Sequence, residues 1–505
     1  MNAVRMGELA AATSLFTDLG TGQPVEHGLR TCLVSMRLAD ALGLDPELRR
    51  EVFYVTLLRF LGCTADSHQA AELFNDDDLG LLSEMAPVIN GSSLGEFVGL
   101  FRTANSLVGP PGSLRTLAGV MSDRRGGERL LDAHCEVASR LATDMGLPAN
   151  VSTALDRGYA RWDGNGVPHG VGGEDVPLSI RVTVVARDLE LWVREFGSKR
   201  AVETLKKRRG RAYDPAVVDA ALGMGFEKLR RCDGDLWEET VELEPMPWLE
   251  AGGEGVQRAL RALGDFADLK APEFTGHSRR VERIVSGAAD IAGLQPEQSE
   301  MLALAGCVHD LGVVATPARV WRRRDLGPAD VEQARLHPMW SERLLTRVDG
   351  LDAVARLAGR HHERGDGSGF PARLAGDPGL PAGILACAEF YDETVGHSGD
   401  VNVATVEMRR IEGSGGLSGN AVSAVLGAVG AAKPLIEVDR PAGLTEREVD
   451  VLRLLARGGT NRQIAERLGI TLKTVGSHVE HIYSKAGVRN RAAATLFAAQ
   501  HDLIE

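Results

Sequence analysis

The chain has few aromatic residues, no closely spaced cysteines, no long uncharged apolar stretch and no overall excess of basic charge. Each shortage excludes something. The six cysteines, Cys32, Cys63, Cys135, Cys232, Cys307 and Cys387, are scattered, and no two are closer in sequence than Cys32 and Cys63. They spell neither a disulfide framework nor a zinc ribbon and read as small core hydrophobes of a reduced, cytoplasmic chain. The longest uncharged run, Gly413–Ala432, opens on Gly and Ser, and its apolar part from Ala421 is too short for a ~20-residue membrane span. At the N-terminus Glu8 precedes an apolar stretch broken by Ala, Thr and Ser, so no signal peptide is expected. Aromatics at 5% and scarce β-branched alternation argue for Ala/Leu-packed helices. What is present, 505 residues with 44% hydrophobic and 25% charged, is globular composition for two to four domains.

The net charge is −13, which argues against nucleic-acid binding by the chain as a whole. From Arg440 onward, however, ten Lys/Arg face seven Asp/Glu, so this tail is +3 and the remainder −16.

Self-comparison reveals a repeat. Arg161-Trp-Asp-Gly-Asn-Gly-Val-Pro168 returns as Arg364-Gly-Asp-Gly-Ser-Gly-Phe-Pro371, each followed by an apolar run, Ile180–Ala186 and Ile384–Ala388. His27 precedes Arg59-Phe60 by the same interval that separates His277 from His309-Asp310, and His134 with Arg140-Leu141 matches His337 with Arg343-Leu344. Pro215–Leu222 and Ser418–Leu426 read as matching closing helices. So long a period means two tandem copies of one domain. The first carries a longer insertion, about Val88–Gly127. Between the copies, Asp233–Glu250 holds seven acids, two prolines and no Lys or Arg, and reads as a solvated linker.

In the C-terminal tail Thr445-Glu-Arg-Glu448 is a capping box opening one helix. Asn461 is expected to cap a second, and Thr471 a third that runs to Ala486, with Gly469 and Gly487 as stops. Two helices joined by a Gly turn make a helix-turn-helix. In the third, Leu472, Val475, Val479 and Ile482 form an inward stripe, while Thr474, Ser477, His478, His481 and Lys485 form a polar one. The polar stripe suits a major groove, with Lys473, Lys485, Arg489 and Arg491 available to phosphates. Gly476, costly inside a helix, is read as room for close approach to DNA. The motifs Leu444-Thr-x-Arg-Glu-Val, Asn461-x-x-Ile-Ala-x-x-Leu and Lys473-Thr-Val-x-x-His-Val-x-x-Ile-Tyr-x-Lys485 resemble the LuxR-type regulators over residues 441–505. The resemblance implies a four-helix DNA-binding domain acting as a dimer on promoter DNA.

The remaining signal is histidine. His277, His309-Asp310, His337, His361-His362 and Glu389 follow one another at similar intervals, each the span of a helix and its connection, placing one or two ligands per helix around a common centre. Imidazole and carboxylate together favour Mn, Fe or Zn over Ca. Adjacent His361 and His362 diverge by ~100° on a helix and most easily serve different metals, which suggests two ions. Two ions would hold a phosphate and generate hydroxide for in-line attack. With the loop from His361 to Pro371, the series resembles the HD-GYP metal-dependent phosphohydrolases over about residues 270–430. That resemblance implies a cyclic di-GMP-like substrate, makes His277, His309, Asp310, His337, His361, His362 and Glu389 metal ligands with His309-Asp310 catalytic, and makes Arg364, Asp366, Gly367, Gly369, Phe370 and Pro371 a substrate loop. The family's His-Asp-x-Gly-Lys is here His309-Asp-Leu-Gly-Val313, its Gly-Tyr-Pro is Gly369-Phe-Pro371, and Glu389 replaces Asp. The missing lysine leaves turnover open, since one preorganised electrostatic donor is worth ~10² to 10³ in rate.

In the first copy the matched positions hold His27, Arg59, Phe60, His134, Gly158, Tyr159 and Arg187, so metal is not expected there. An anion held by Arg59, His27 and His134 is one alternative, and a repacked structural core is the better-supported one. Asp66 and His68 have no clear role. The expectation is an all-α chain: a degenerate HD-like repeat at 1–232, an acidic linker and connecting helix at 233–268, an HD-GYP-like repeat at 269–438 and the helix-turn-helix at 439–505. It would be a homodimeric regulator that either hydrolyses or senses a cyclic dinucleotide. A third alternative makes both repeats dimerisation scaffold only.

Overall fold

Helices dominate the computed structural model, which describes residues 3–64, 78–87, 89–90, 126–226, 230–232, 234–322, 325–431 and 441–504. The larger part of the expected first-copy insertion, with Asp66 and His68, lies outside these. Among the described residues the only regular strands are the two-residue Val4–Arg5 and Glu250–Ala251. The Gly-Pro loops carry single bridges, Tyr159 to Val167 and Asp366 to Ala375, rather than hairpins. The chain divides into a unit of residues 5–251 with 317–319, and a unit built mainly from 252–316 and 320–505.

Within each unit the same helices recur for the same local reasons. Asp45 accepts from the Leu48 N–H before Pro46–Leu58, and Gln295 and Gln298 form a capping box before Pro296–Val308; both helices have proline at their first position. His27–Ala41 and His277–Ala292 both start after a left-handed residue, Glu26 at φ 77° and Gly276 at φ 72°. The orphan N–H groups there go to equivalent carboxylates, Gly28 to Asp18 (3.1 Å) and Ser278 to Asp268 (3.1 Å). Gly62 and Gly312 let a turn pass against a histidine carbonyl: an added Cβ would lie 1.9 Å from His134 O and 2.0 Å from His337 O. The closing helices are Pro215–Met224 and Gly419–Ala431.

Two local expectations need correcting. The acidic linker is folded: Asp235 caps the helix Leu236–Glu242, and Glu244 is buried against Arg5 (2.6 Å) and Tyr54 (2.5 Å). The connecting helix Glu254–Asp268 buries Val256, Leu260, Leu263 and Phe266 as part of the second unit.

The last four helices, Glu446–Ala456, Asn461–Leu468, Leu472–Ala486 and Arg491–Gln500, share one core that includes Leu452, Leu455, Ile464, Val475, Ile482 and Phe497. Thr460 rather than Asn461 caps the second of them, accepting from Gln463 N–H in a capping box. Leu472 departs from its stripe: as the first residue of its helix it is 58% exposed, whereas Val475 and Ile482 are buried and Val479 packs at the core margin.

Candidate metal centre and DNA-binding helix

Two helix starts, one helix end and one mid-helix position aim the second copy's ligands at one buried point. His277 and His337 open their helices, His309 follows Pro296–Val308, and Glu389 lies mid-way along Leu380–Ser398. His277, His309, Asp310 and Glu389 bring one ligand atom each within 4.8 Å of one another, and His337, His361 and His362 do the same. Asp310 joins the groups, with Oδ2 3.5 Å from His277 Nε2 and Oδ1 3.1 Å and 3.3 Å from His337 and His361 Nε2.

The donor chemistry of this cluster fits cations. His309, His337 and His361 each donate Nδ1–H to a backbone carbonyl, of Gly306, Ala334 and Ala358. That fixes the tautomer and leaves each Nε2 as a bare lone pair. Those lone pairs then converge: His337 Nε2 lies 3.0 Å from His361 Nε2, and His309 Nε2 lies 2.9 Å from Glu389 Oε2. Asp310 Oδ1 is buried with no hydrogen-bond donor. For the neutral rings acceptors then face acceptors in a desolvated pocket, which is stable only with positive charge between them, from a cation or, in its absence, from protons shared between imidazole and carboxylate.

Electrostatics follow the same logic. Burial raises Asp310 and Glu389, yet His309 beside the first and His277 beside the second hold both carboxyls well below the usual range. Burial lowers His277, but Glu389 and Asp392 outweigh it and raise the imidazole well above its ordinary value. His361 and His362 are lowered, by burial first and then by the neighbouring imidazoles, with Asp310 opposing at His361.

Beside the centre, Phe370 stacks on His362 (4.4 Å between ring centroids). Its approach requires Gly369, where a Cβ would meet Arg364 N at 2.4 Å and His362 O at 2.5 Å. Glu363 anchors the loop by accepting from Ala372 N (2.7 Å) and Leu374 N (2.8 Å). Arg364 Nη1 lies on the carbonyls of His361 and Glu363, while Asp366 is exposed and accepts from Ser368. Gly367 takes φ 77°, and Pro371 follows a cis bond. Val313, where a lysine would be expected, is buried and accepts at its carbonyl from Trp321 Nε1 (3.3 Å).

In the C-terminal domain Lys473, Thr474, Ser477, His481 and Arg489 are exposed and His478 half-buried. Gly476 has open space around it and ordinary helical backbone. Two of the expected phosphate contacts, Lys485 and Arg491, also have partners inside the domain. Arg491 donates to the carbonyl of Gly459 (2.8 Å) and to that of Leu455 (2.5 Å). Lys485 Nζ lies 2.7 Å from Glu448 Oε2 and 3.0 Å from Gly443 O.

Residues 126–217 and 261–409 match the HD domain family, and residues 442–498 match the bacterial regulatory proteins of the luxR family. The chain joins HD-domain segments to a luxR-family DNA-binding domain. It is 25% identical over 401 residues to 3'3'-cGAMP-specific phosphodiesterase 3 of Vibrio cholerae, covering 77% of this chain and 86% of that one. A further relative is 3'3'-cGAMP-specific phosphodiesterase 1 of V. cholerae, at 32% over 142 residues, 28% of this chain and 33% of the relative. The response regulator VraR of Staphylococcus aureus is 48% identical over 62 residues, 12% of this chain and 30% of its own. A crystal structure of a cyclic GMP-AMP specific phosphodiesterase of V. cholerae (V-cGAP3) shares the fold, with TM-score 0.57 and 20% identity over 86% of this chain and 99% of that one. No described helix is long and apolar enough to cross a membrane.

Reading the sequence missed the layer behind the second HD domain's ligands. Asp392 takes the other nitrogen of His277 (Nδ1 to Oδ2, 2.7 Å) and is held by Arg280 through Nε (2.8 Å) and Nη2 (3.0 Å). The available signal was Asp392 at i+3 from Glu389, on the same helix face. The first HD repeat keeps only an outline of this: Glu190 binds His27 Nδ1, but Arg59 and Arg187 stand at the positions of His309 and Glu389. Among the described residues no group of potential ligands gathers there.

In the luxR-family domain, burial opposes ionisation of Glu448, but Lys485 and Thr445 outweigh it and bring the carboxyl down to about 2. A carboxyl lowered in the folded state contributes stability above its unfolded value of about 4.3, and that contribution is lost as pH falls toward about 2. Glu448→Gln is therefore expected to lose stability at neutral pH and to flatten acid destabilisation between about pH 5 and pH 2, measured by thermal melts of the full chain across that range.

Proposed function

We propose that the second HD domain holds two divalent transition metals, Mn, Fe or Zn, and uses them to bind a cyclic dinucleotide whose arrival alters DNA binding by the luxR-family domain of a cytoplasmic homodimer. The convergence of Nδ1-anchored imidazoles and two carboxylates on one buried point carries the metal reading. His277, His309, Asp310 and Glu389 would hold one ion and His337, His361 and His362 the other, with Asp310 between them. When bound, such ions supply Lewis acidity and a nucleophilic hydroxide at neutral pH. The chain's own residues fix the ligand orientations through Gly306, Ala334, Ala358 and Asp392, and shape the approach. Phe274 and Trp321 stand edge-on to each other (5.3 Å), next to His277 and His337 respectively, and Phe370 covers His362. These rings suit nucleobase stacking, and Arg364 is the nearby cation for a phosphate. The relatives named as 3'3'-cGAMP phosphodiesterases make that dinucleotide the first to assay, with cyclic di-GMP beside it.

Val313 favours a second reading, sensing without turnover, because a buried aliphatic side chain offers a phosphate nothing. Coupling to DNA has support in either case. Thr275 Oγ1 donates to Ala456 O of the luxR-family domain (3.3 Å), Arg280 Nη1 donates to Thr275 O (2.9 Å), and Arg280 also holds Asp392 behind His277.

The deciding experiment measures metal content, 3'3'-cGAMP hydrolysis with added Mn or Fe, and promoter binding with and without the dinucleotide, all on full-length protein. Metal with turnover supports a phosphodiesterase, metal and dinucleotide-dependent DNA binding without turnover supports a sensor, and metal-free protein refutes both. For the luxR-family domain, Lys473→Ala is expected to weaken binding about equally across DNA sequences and to reduce the salt dependence, log K against log salt, by about 1. An unchanged slope would remove Lys473 from the phosphate contacts.

A further inference from the structure

Where the second HD domain gathers metal ligands, the first encloses a cavity of about 70 Å³. Arg187, Phe60 and Tyr159 line it together with the apolar side chains of Met85, Ile89 and Leu131. Arg187 is 3% exposed; its Nη1 donates to Ala86 O (2.6 Å) and Asp188 (2.8 Å), while its Nε is buried without a partner. Arg59, 4% exposed, lies just behind, its guanidinium 5.0 Å from the Phe60 ring and 5.3 Å from that of Tyr159. Its Nε donates to Gly158 O (3.0 Å) and its Nη2 to Asn90 (3.4 Å), and its Nη1 has no partner. Asp188 does not neutralise the pair, being shared with Arg208 (2.8 Å), Tyr213 and Asn90 (3.0 Å).

The first HD domain thus buries a surplus of positive charge and unused N–H donors on Arg187, which lines a largely apolar hollow, and on Arg59 close by. A buried donor without an acceptor is costly, and an unneutralised guanidinium in a low dielectric more so. Both costs fall when an anion enters, and the apolar lining rewards an apolar body on that anion. We propose that this cavity binds a small organic monoanion, a carboxylate with a short apolar body, whose head group meets Arg187 in the field of Arg59 and whose body lies against Met85, Ile89 and Leu131. The degenerate repeat would then be a second ligand site, independent of metal.

Full-length protein titrated calorimetrically with acetate, butyrate, hexanoate, benzoate and inorganic phosphate tests this. Saturable binding is expected, tightening about fourfold per methylene from acetate toward hexanoate until the cavity is full. Arg187→Gln should weaken hexanoate about tenfold or more. Leu131→Trp, which fills the hollow and leaves both guanidiniums in place, should abolish binding while metal content stays at the wild-type level, and it carries the test if Arg187→Gln does not fold. Absence of saturable binding at millimolar acid, affinity indifferent to chain length, phosphate binding as tightly as hexanoate, or wild-type affinity in Leu131→Trp would each overturn the proposal.

Discussion

Asp310→Ala is expected to purify without transition metal and to lose at least about a hundredfold in metal affinity, together with any dinucleotide hydrolysis the wild-type protein shows. Asp310 is the one side chain whose two oxygens reach both ligand groups, 3.1 Å and 3.3 Å to one and 3.5 Å and 3.8 Å to the other. Its removal leaves His337 and His361 without a shared anionic partner and halves the buried negative charge among the ligands, which is Asp310 and Glu389. The imidazoles remain held by their backbone carbonyls, so the fold should survive in the apo state. Asp392→Asn is the graded comparison: it keeps the shape beside His277 but weakens the anchor, and about 10- to 100-fold lower metal affinity is expected. Elemental analysis after dialysis reads both. Wild-type metal content in Asp310→Ala would sink the two-ion assignment, and equal losses in the two variants would make Asp392 more than a positioning residue.

Much of this centre was legible because its ligands are spaced by whole helices, and helix length is what sequence periodicity encodes best. Asp392 and Arg280 were not, since a residue behind a ligand needs only to reach one atom, and no periodic pattern marks it. The same limit applies to charge. Lys485 and Arg491 belong to a basic tail in sequence, but only the packing of Leu472–Ala486 and Arg491–Gln500 shows that they also meet Glu448 and three carbonyls. Glu244 looked solvated because its partners Arg5 and Tyr54 are 239 and 190 residues away. Thr460 and Asn461 are both competent caps, and which of them sits one residue outside the helix is settled by geometry alone. Leu472 obeyed the period but occupies a helix start, where there is no neighbouring layer to bury it. The repeat was legible through its matched histidines and Gly-Pro loops, whereas the paired glycines Gly62 and Gly312 were not, since their reason appears only in three dimensions.

Those glycines permit a test that separates packing from metal chemistry. A methyl at Gly312 would meet His337 O at 2.0 Å and His337 C at 2.8 Å, backbone atoms at the start of a ligand-bearing helix, and the Gly312 N–H is already spent on Ser341 Oγ (2.9 Å). Neither side can yield by rotating a side chain, so His337 must move. Gly312→Ala is expected to cost about 1–3 kcal/mol in stability, as overpacking does, and also to deplete the His337, His361 and His362 group of its metal. Gly62→Ala imposes the same clash in the first repeat, 1.9 Å from His134 O, where no ligand group gathers among the described residues. It should cost similar stability and leave metal content untouched. Melting temperature and metal stoichiometry measured on both variants give the comparison. If Gly312→Ala melts lower but keeps two ions, His337 tolerates displacement and is not a ligand. If Gly62→Ala also loses metal, the two repeats are coupled more tightly than their separate cores imply, and the first repeat becomes part of how the second holds its ions.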